Sequence, residues 1–95
     1  MVVRVRRREP RDWMSEASRL LDAARKLEGD RRRVYEYFVR NFSVGDLKAE
    51  YELSKLGVKE PLEVIEELIE EGILERGIDC FNLAYPLRKY FASRR

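Results

Sequence analysis

The sequence contains no histidine, and Cys80 is its only cysteine. A single cysteine rules out an intrachain disulfide. Without histidine, the usual Cys/His zinc sites, catalytic triads and imidazole acid–base chemistry are excluded as well. No recognisable motif places any of the carboxylates for catalysis. We therefore expect a protein that is not an enzyme, with no catalytic residues, no metal site and no cofactor, and with Cys80 as a small buried apolar residue.

Long apolar runs are also missing. No run approaches the ~18 residues that a membrane-spanning helix needs, and the basic start of the chain is not followed by the apolar region of a signal peptide. We therefore predict a cytoplasmic protein with no membrane partner. The 95 residues, 44% of them hydrophobic, predict one domain over residues 1–95 with one modest core. The 40% of charged residues, in which Arg outnumbers Lys, is typical of thermophile surfaces with ion-pair networks.

The net charge of +2 conceals an uneven distribution along the chain. Residues 1–40 carry 12 basic and 7 acidic side chains, residues 41–80 carry 4 basic and 11 acidic, and residues 81–95 carry 4 basic and none acidic. The sequence therefore predicts basic ends and an acidic middle.

The first part of the chain predicts a basic arm and two helices. Residues 1–9 form the arm. Residues 10–28 form a helix, and Gly29 ends it. Asp30 has the chemistry of an N-cap for the second helix, with Val34 and Phe38 facing inward. The apolar residues of the first helix have helical spacing: Trp13, Ala17, Leu20, Leu21, Ala24 and Leu27.

The acidic middle predicts two further helices. Ser43 with Asp46 three residues on suggests a capping box that opens a third, short helix. The alternating apolar residues there also fit a strand, but the Glu, Lys, Ala and Leu content and a terminating Gly57 favour a helix. The fourth helix spans residues 61–71. Gly72 then ends it, and the following isoleucine packs back on Leu68 in a Schellman motif.

Two short apolar runs follow, over residues 73–76 and 80–85. Gly77 is the first residue of the connection between them, as in a tight hairpin. Pro86 closes the second run, and residues 86–95 predict a short helix and a basic tail. We expect the core to contain Leu20, Leu21, Ala24, Val34, Phe38, Leu62, Ile65, Leu68, Ile69, Ile73 and Phe81.

Three helices followed by a β-hairpin, over residues 30–85, resemble the winged helix-turn-helix superfamily, and in particular its small archaeal members in DNA and RNA machinery. The run PLEVIEELIEEGILE, residues 61–75, resembles the junction at which the third helix of that fold turns into the wing. The resemblance implies a mainly α fold with a small β-hairpin. This chain would add an N-terminal helix and a short C-terminal helix.

In that superfamily the helix matching residues 61–71 usually lies in the major groove of DNA. Its outward positions here are glutamates, which phosphates would repel. An occasional contact between glutamate and cytosine does not compensate for this repulsion. We therefore reject this mode of docking. The outward residues become a candidate surface for a basic protein partner, and the residues assigned to it are Glu63, Glu66, Glu67 and Glu70.

The basic ends are the candidate nucleic-acid site, although they also fit solvated termini. The Arg31–Arg33 cluster opposes the helix dipole. It fits phosphate or the acidic helix of a neighbour, but pairing with Glu28, Asp30 and Glu36 is favoured. The residues assigned to nucleic-acid binding are Arg4, Arg6, Arg7, Arg8, Arg11, Arg88, Lys89, Arg94 and Arg95.

Together these features predict a non-catalytic, nucleic-acid-associated accessory protein. It would bind the phosphate backbone, with weak sequence preference, through its basic ends, and a protein through its acidic fourth helix. The alternative is a pure protein–protein interaction module in a replication or transcription complex, with no nucleic-acid contact. A homodimer through the first or the last helix also fits, because their apolar residues exceed what a small core can hide.

Overall fold

The computed structural model describes residues 9–94, and the fold in that range is mainly helical with a small antiparallel sheet. This confirms the predicted fold class, and the order of elements is compatible with a winged-helix arrangement. The elements are α1 (Glu9–Arg25), α2 (Gly29–Asn41), β1 (Ser43–Gly45), α3 (Asp46–Lys55), α4 (Pro61–Glu70), β2 (Leu74–Arg76), β3 (Cys80–Leu83) and α5 (Tyr85–Ala92). No helix among these residues is long and apolar enough to cross a membrane.

The sheet has the strand order β1-β3-β2, and both pairings are antiparallel. Strand β1 was not predicted, and the capping box proposed in its place is wrong. The Ser43 hydroxyl donates to Asn82 Oδ1 across the β1–β3 pair at 2.6 Å, and α3 begins after Gly45 with no side-chain cap. Ser43 is therefore a cross-strand partner and does not cap a helix.

The end of α4 is the predicted Schellman motif. Gly72 has φ 81°. Its N–H donates to Ile69 O at 3.0 Å, and the N–H of Ile73 donates to Leu68 O at 2.9 Å. The positive φ requires glycine at this position. The prediction is confirmed, and α4 passes into β2 through only three residues, 71–73.

The start of α2 differs from the prediction. The N-cap residue is Glu28, which makes no side-chain cap, and Asp30 lies inside the helix. The Asp30 carboxylate instead accepts hydrogen bonds from Arg33, at 2.9 Å, and from the backbone N–H of Lys59, at 3.4 Å. The N-cap assignment is therefore wrong, and Asp30 links the start of α2 to the segment before α4.

The predicted hairpin is formed by β2 and β3, with Gly77 donating its N–H to Cys80 O at 2.9 Å. A Cβ atom on residue 77 would lie 2.6 Å from Cys80 Sγ, so a larger residue here would require the Cys80 side chain to move. Cys80 itself is half-buried, and its Sγ lies 3.7 Å from Asn82 Oδ1. The prediction of a buried Cys80 is therefore wrong, because Cys80 lies at the end of the central strand β3, next to the hairpin turn.

The core joins α1, α2, α3, α4, the sheet and α5 into one cluster. Leu62 was assigned to this core wrongly, since it is 41% exposed and α4 buries Pro61, Val64, Ile65 and Leu68 instead. Leu21 and Ile69 are half-buried and pack against the cluster. The predicted core residues that are buried are Leu20, Ala24, Val34, Phe38, Ile65, Leu68, Ile73 and Phe81.

Helices α1 and α5 pack against each other. Lys89 Nζ lies 5.4 Å from the centre of the Trp13 ring, and the rings of Tyr90 and Phe91, both half-buried, are edge to face at 5.1 Å. The two apolar faces proposed for a homodimer thus contact each other within the chain. The homodimer itself stays a prediction.

A hydrogen bond between α2 and α3 gives the fold a pH dependence. Tyr37 is buried and its hydroxyl donates to Glu52 Oε1 at 2.5 Å. Burial, followed by this hydrogen bond, raises the pKa of Tyr37 well above its ordinary value. The folded protein then keeps a proton that the unfolded chain releases near pH ~10, so stability is lost as the pH rises above that value.

Tyr37→Phe tests this dependence. The variant lacks the hydrogen bond, and we expect its free energy of unfolding to be lower by about 0.5–1.5 kcal/mol at neutral pH. The difference in unfolding free energy between wild type and variant should shrink as the pH rises above ~10. Only the wild type then loses stability, because its unfolded chain releases the Tyr37 proton and its folded state does not. Urea denaturation at pH 8 and pH 11 measures both values. A constant difference across that range would contradict the assigned role of Tyr37.

Candidate protein-interaction surface

The outer side of α4 carries four exposed glutamates, Glu63, Glu66, Glu67 and Glu70, which we call the acidic face. Their exposure follows from the helical period, because Val64 and Leu68 point into the core. The structure therefore places these four candidate residues together on one surface.

Two of the four glutamates are paired with arginines from other elements. Arg31 of α2 donates from Nε to Glu67 at 3.0 Å and also contacts Glu71 at 3.5 Å. Arg76 of β2 pairs with Glu66. Exposed pairs of this kind contribute only about 0–1 kcal/mol each, so they orient the side chains more than they stabilise the fold. Sequence reasoning missed both pairs, because each joins elements that only the tertiary fold brings together.

The remaining arginines of the Arg31–Arg33 cluster pair locally. Arg32 contacts Glu36 at 3.1 Å, and Arg33 contacts Asp30 at 2.9 Å. The favoured interpretation of the cluster, pairing with nearby acids, is thus confirmed for these two, while Arg31 reaches α4.

Two residues of the acidic face, Glu63 and Glu70, have no cationic group within 4.0 Å among the described side chains, residues 13–94. Both side chains are exposed, and the ion pairs in this part of the chain join other residues. The uncompensated charge of α4 is therefore concentrated at these two positions, which are two helical turns apart.

The described residues of the candidate nucleic-acid site contact their own chain. Arg88 donates to Leu83 O at 2.8 Å and to Glu75 at 3.3 Å. Lys89 lies over the Trp13 ring, and Arg94 lies 4.5 Å from the centre of the Tyr90 ring. The other candidates, including the side chain of Arg11, lie outside the described residues: Arg4, Arg6, Arg7, Arg8, Arg11 and Arg95. Nucleic-acid binding by these side chains stays a prediction.

A cleft of about 330 Å³ lies between α1, α2 and α5, lined in part by Tyr35, Tyr90, Arg25 and Arg32. Burial raises the pKa of Tyr35, and the nearby Arg32 partly opposes this rise. Both arginines are paired, Arg25 with Asp22 and Arg32 with Glu36. The cleft therefore offers aromatic surface but little net positive charge for a phosphate.

In the part of the chain whose side chains the structure describes, residues 13–94, no group of three or more Cys, Asp or Glu side chains is arranged to hold a metal ion. What the surface offers is uncompensated negative charge on α4 and exposed apolar side chains on α3, on α4 and in the β2–β3 turn: Leu47, Tyr51, Leu62 and Ile78. This chemistry suits contact with a basic and partly apolar surface.

Comparison with known proteins identifies one family. A family model described as PolB1 Binding Protein 2 matches residues 28–89, roughly two thirds of the chain. The match covers α2, α3, α4, the whole sheet and most of α5, and α1 lies outside it. A search of the curated proteins found no match.

Proposed function

Because the chain belongs to the PolB1 Binding Protein 2 family, we propose that it is a non-catalytic accessory protein that binds the PolB1 polymerase directly. The observation that carries this proposal is the family match over residues 28–89. That range includes α4 and the elements that pack against it, α2, α3 and β2, so the family's shared region contains a candidate surface for a protein partner.

The acidic face is the surface that we propose for this contact. Its uncompensated charge at Glu63 and Glu70 complements a basic surface, and such complementarity raises association rates and specificity more than affinity. If residues 30–85 are a winged helix, the helix that usually enters the DNA groove serves here as a protein contact. The glutamates that repel phosphate are then the binding residues.

Binding to purified PolB1 polymerase by surface plasmon resonance tests this proposal. We expect the wild type to bind, and we expect Glu63→Gln/Glu70→Gln to lower the association rate constant severalfold at low salt. The difference should fade at high salt because exposed charges are then screened. The matched control is Glu16→Gln/Asp22→Asn, which removes two exposed acids from α1, outside the residues that match the family.

The possible outcomes test the proposed function and the assignment of the binding surface separately. A wild-type chain that does not bind the polymerase would refute the proposed function. Binding by the wild type with equal association rates for both double variants would keep the function and refute the assignment to the acidic face.

A second component, binding to the phosphate backbone of nucleic acid, is supported by the charge distribution. Of the described basic candidates, Arg88 and Lys89 lie on α5 and Arg94 follows it. Helix α5 packs against α1 and β3, whereas the acidic face lies on α4, which packs against α2, α3 and β2. We propose that the basic ends bind nucleic acid with weak sequence preference while α4 binds the polymerase. The protein would then bridge polymerase and template.

A further inference from the structure

Three large apolar side chains lie exposed where the β2–β3 turn meets the start of α3. Ile78 in the turn is 91% exposed, and Leu47 and Tyr51 of α3 are 78% and 64% exposed. The backbone N–H of Asp46 donates to Asp79 O at 3.0 Å. Leu47 directly follows Asp46, and Ile78 directly precedes Asp79. Tyr51 lies four residues after Leu47, on the same face of α3. We call these three residues the apolar patch.

The fold gives no reason for the apolar patch. The core beneath α3 is already complete, with Ala49 and Leu53 fully buried. Since the patch residues bury little surface, they contribute little hydrophobic stabilisation to the fold. Replacing a turn residue as exposed as Ile78 with a polar residue would cost little folding free energy. Clustered exposed apolar side chains of this kind mark contact sites for other molecules.

The Ile78 end of the apolar patch is acidic. Asp46 and Asp79 line a cleft of about 240 Å³ together with Arg76 and Phe81. Arg76 pairs with Glu66 and lies over the Phe81 ring. Neither aspartate has a cationic group within 4.0 Å among the side chains of residues 13–94.

The Tyr51 end of the apolar patch has the opposite charge. Lys55 Nζ lies 5.3 Å from the centre of the Tyr51 ring. The apolar patch therefore has a direction, with uncompensated carboxylates at the end nearest the turn and Lys55 at the other end. A complementary segment must place its basic side chain at the Ile78 end.

The apolar patch adjoins the acidic face. Arg76 lies in β2, two residues before Ile78, and pairs with Glu66 of α4. One partner can therefore cover both surfaces at once.

We infer that the apolar patch is a second contact with the polymerase. It would take a segment whose apolar side chains cover Leu47 and Ile78 and whose Lys or Arg side chain enters between Asp46 and Asp79. This inference rests on the proposed function.

Leu47→Ser/Ile78→Ser tests the apolar patch, with Met14→Ser as the matched control. Met14 is 57% exposed and lies on α1, outside the residues that match the family. Binding of each variant to purified PolB1 polymerase is measured by surface plasmon resonance. We expect the double variant to raise the dissociation constant about tenfold or more, mainly through faster dissociation, and the control to bind like the wild type. The variants of the acidic face act on association instead, so the two surfaces have different kinetic signatures.

Three outcomes overturn the inference. If the wild type does not bind the polymerase, the proposed function fails and the inference fails with it. If the wild type binds and the double variant binds equally well, the inference alone fails. If sedimentation velocity shows that the double variant loses a self-association of the wild type while polymerase binding is unchanged, the apolar patch serves a second copy of this chain. Ile78→Ser alone, confined to the turn, is used if the double variant melts at a lower temperature.

Discussion

Leu68→Ala should lower the free energy of unfolding by about 2–5 kcal/mol, the usual range for removing a large aliphatic side chain from a filled core position. Leu68 is fully buried on α4, and its carbonyl accepts the hydrogen bond that closes the helix. A domain of this size is typically stable by only about 5–15 kcal/mol, so the variant would lose a large fraction of its stability. Urea denaturation measures the change as a shift of the midpoint at constant slope.

Leu62→Ala provides the matched control, since it makes the same substitution on the same helix at a residue that is 41% exposed. We expect it to cost less than about 1 kcal/mol, because little buried surface is removed. Equal losses for the two variants would show that α4 buries a different face from the one in the structure.

Deletion of residues 2–8 should weaken binding to duplex DNA by at least about tenfold at low salt. The deletion removes Arg4, Arg6, Arg7 and Arg8 and leaves α1, which begins at Glu9. For every phosphate that the shortened chain no longer binds, the slope of log affinity against log salt should flatten by about 0.9. Gel-shift titrations against duplex and single-stranded DNA at two salt concentrations measure both quantities.

Glu66→Gln/Glu70→Gln is the control for this experiment. Neutralising these residues should leave DNA affinity unchanged or raise it, because it relieves repulsion and frees Arg76 from its pair with Glu66. The reverse pattern, with the arm dispensable and the two glutamates required, would show that α4 contacts DNA and that the acidic face was assigned to the wrong partner.

The end of α4, the hairpin and most of the core could be predicted because their signals are local. The Schellman motif at Gly72 can be predicted from the helical period and one glycine alone. Strand β1 could not be predicted, because three residues carry no periodicity and its partner β3 lies far along the chain, with Ser43 opposite Asn82. The ion pair between Arg31 and Glu67 was missed for the same reason.

The apolar patch was missed for a different reason. Ala49 and Leu53 are four residues apart on α3, and so are Leu47 and Tyr51. Either pair fits the inner side of an amphipathic helix, so the sequence pattern does not determine which pair faces the core. The structure buries Ala49 and Leu53 and exposes the other two. The exposure of the acidic face was predictable. The helical period places its four glutamates on one side of α4, and charged side chains favour the side that faces solvent.

The short junction between α4 and β2 has a consequence for binding. Because only residues 71–73 separate the two elements, and because Gly72 and Ile73 are hydrogen-bonded back to the helix, the hairpin has little freedom to rotate relative to α4. The acidic face and the Ile78 turn are thus held in one arrangement before any partner arrives. A partner that contacts both would order few additional torsion angles, so association should lose little conformational entropy.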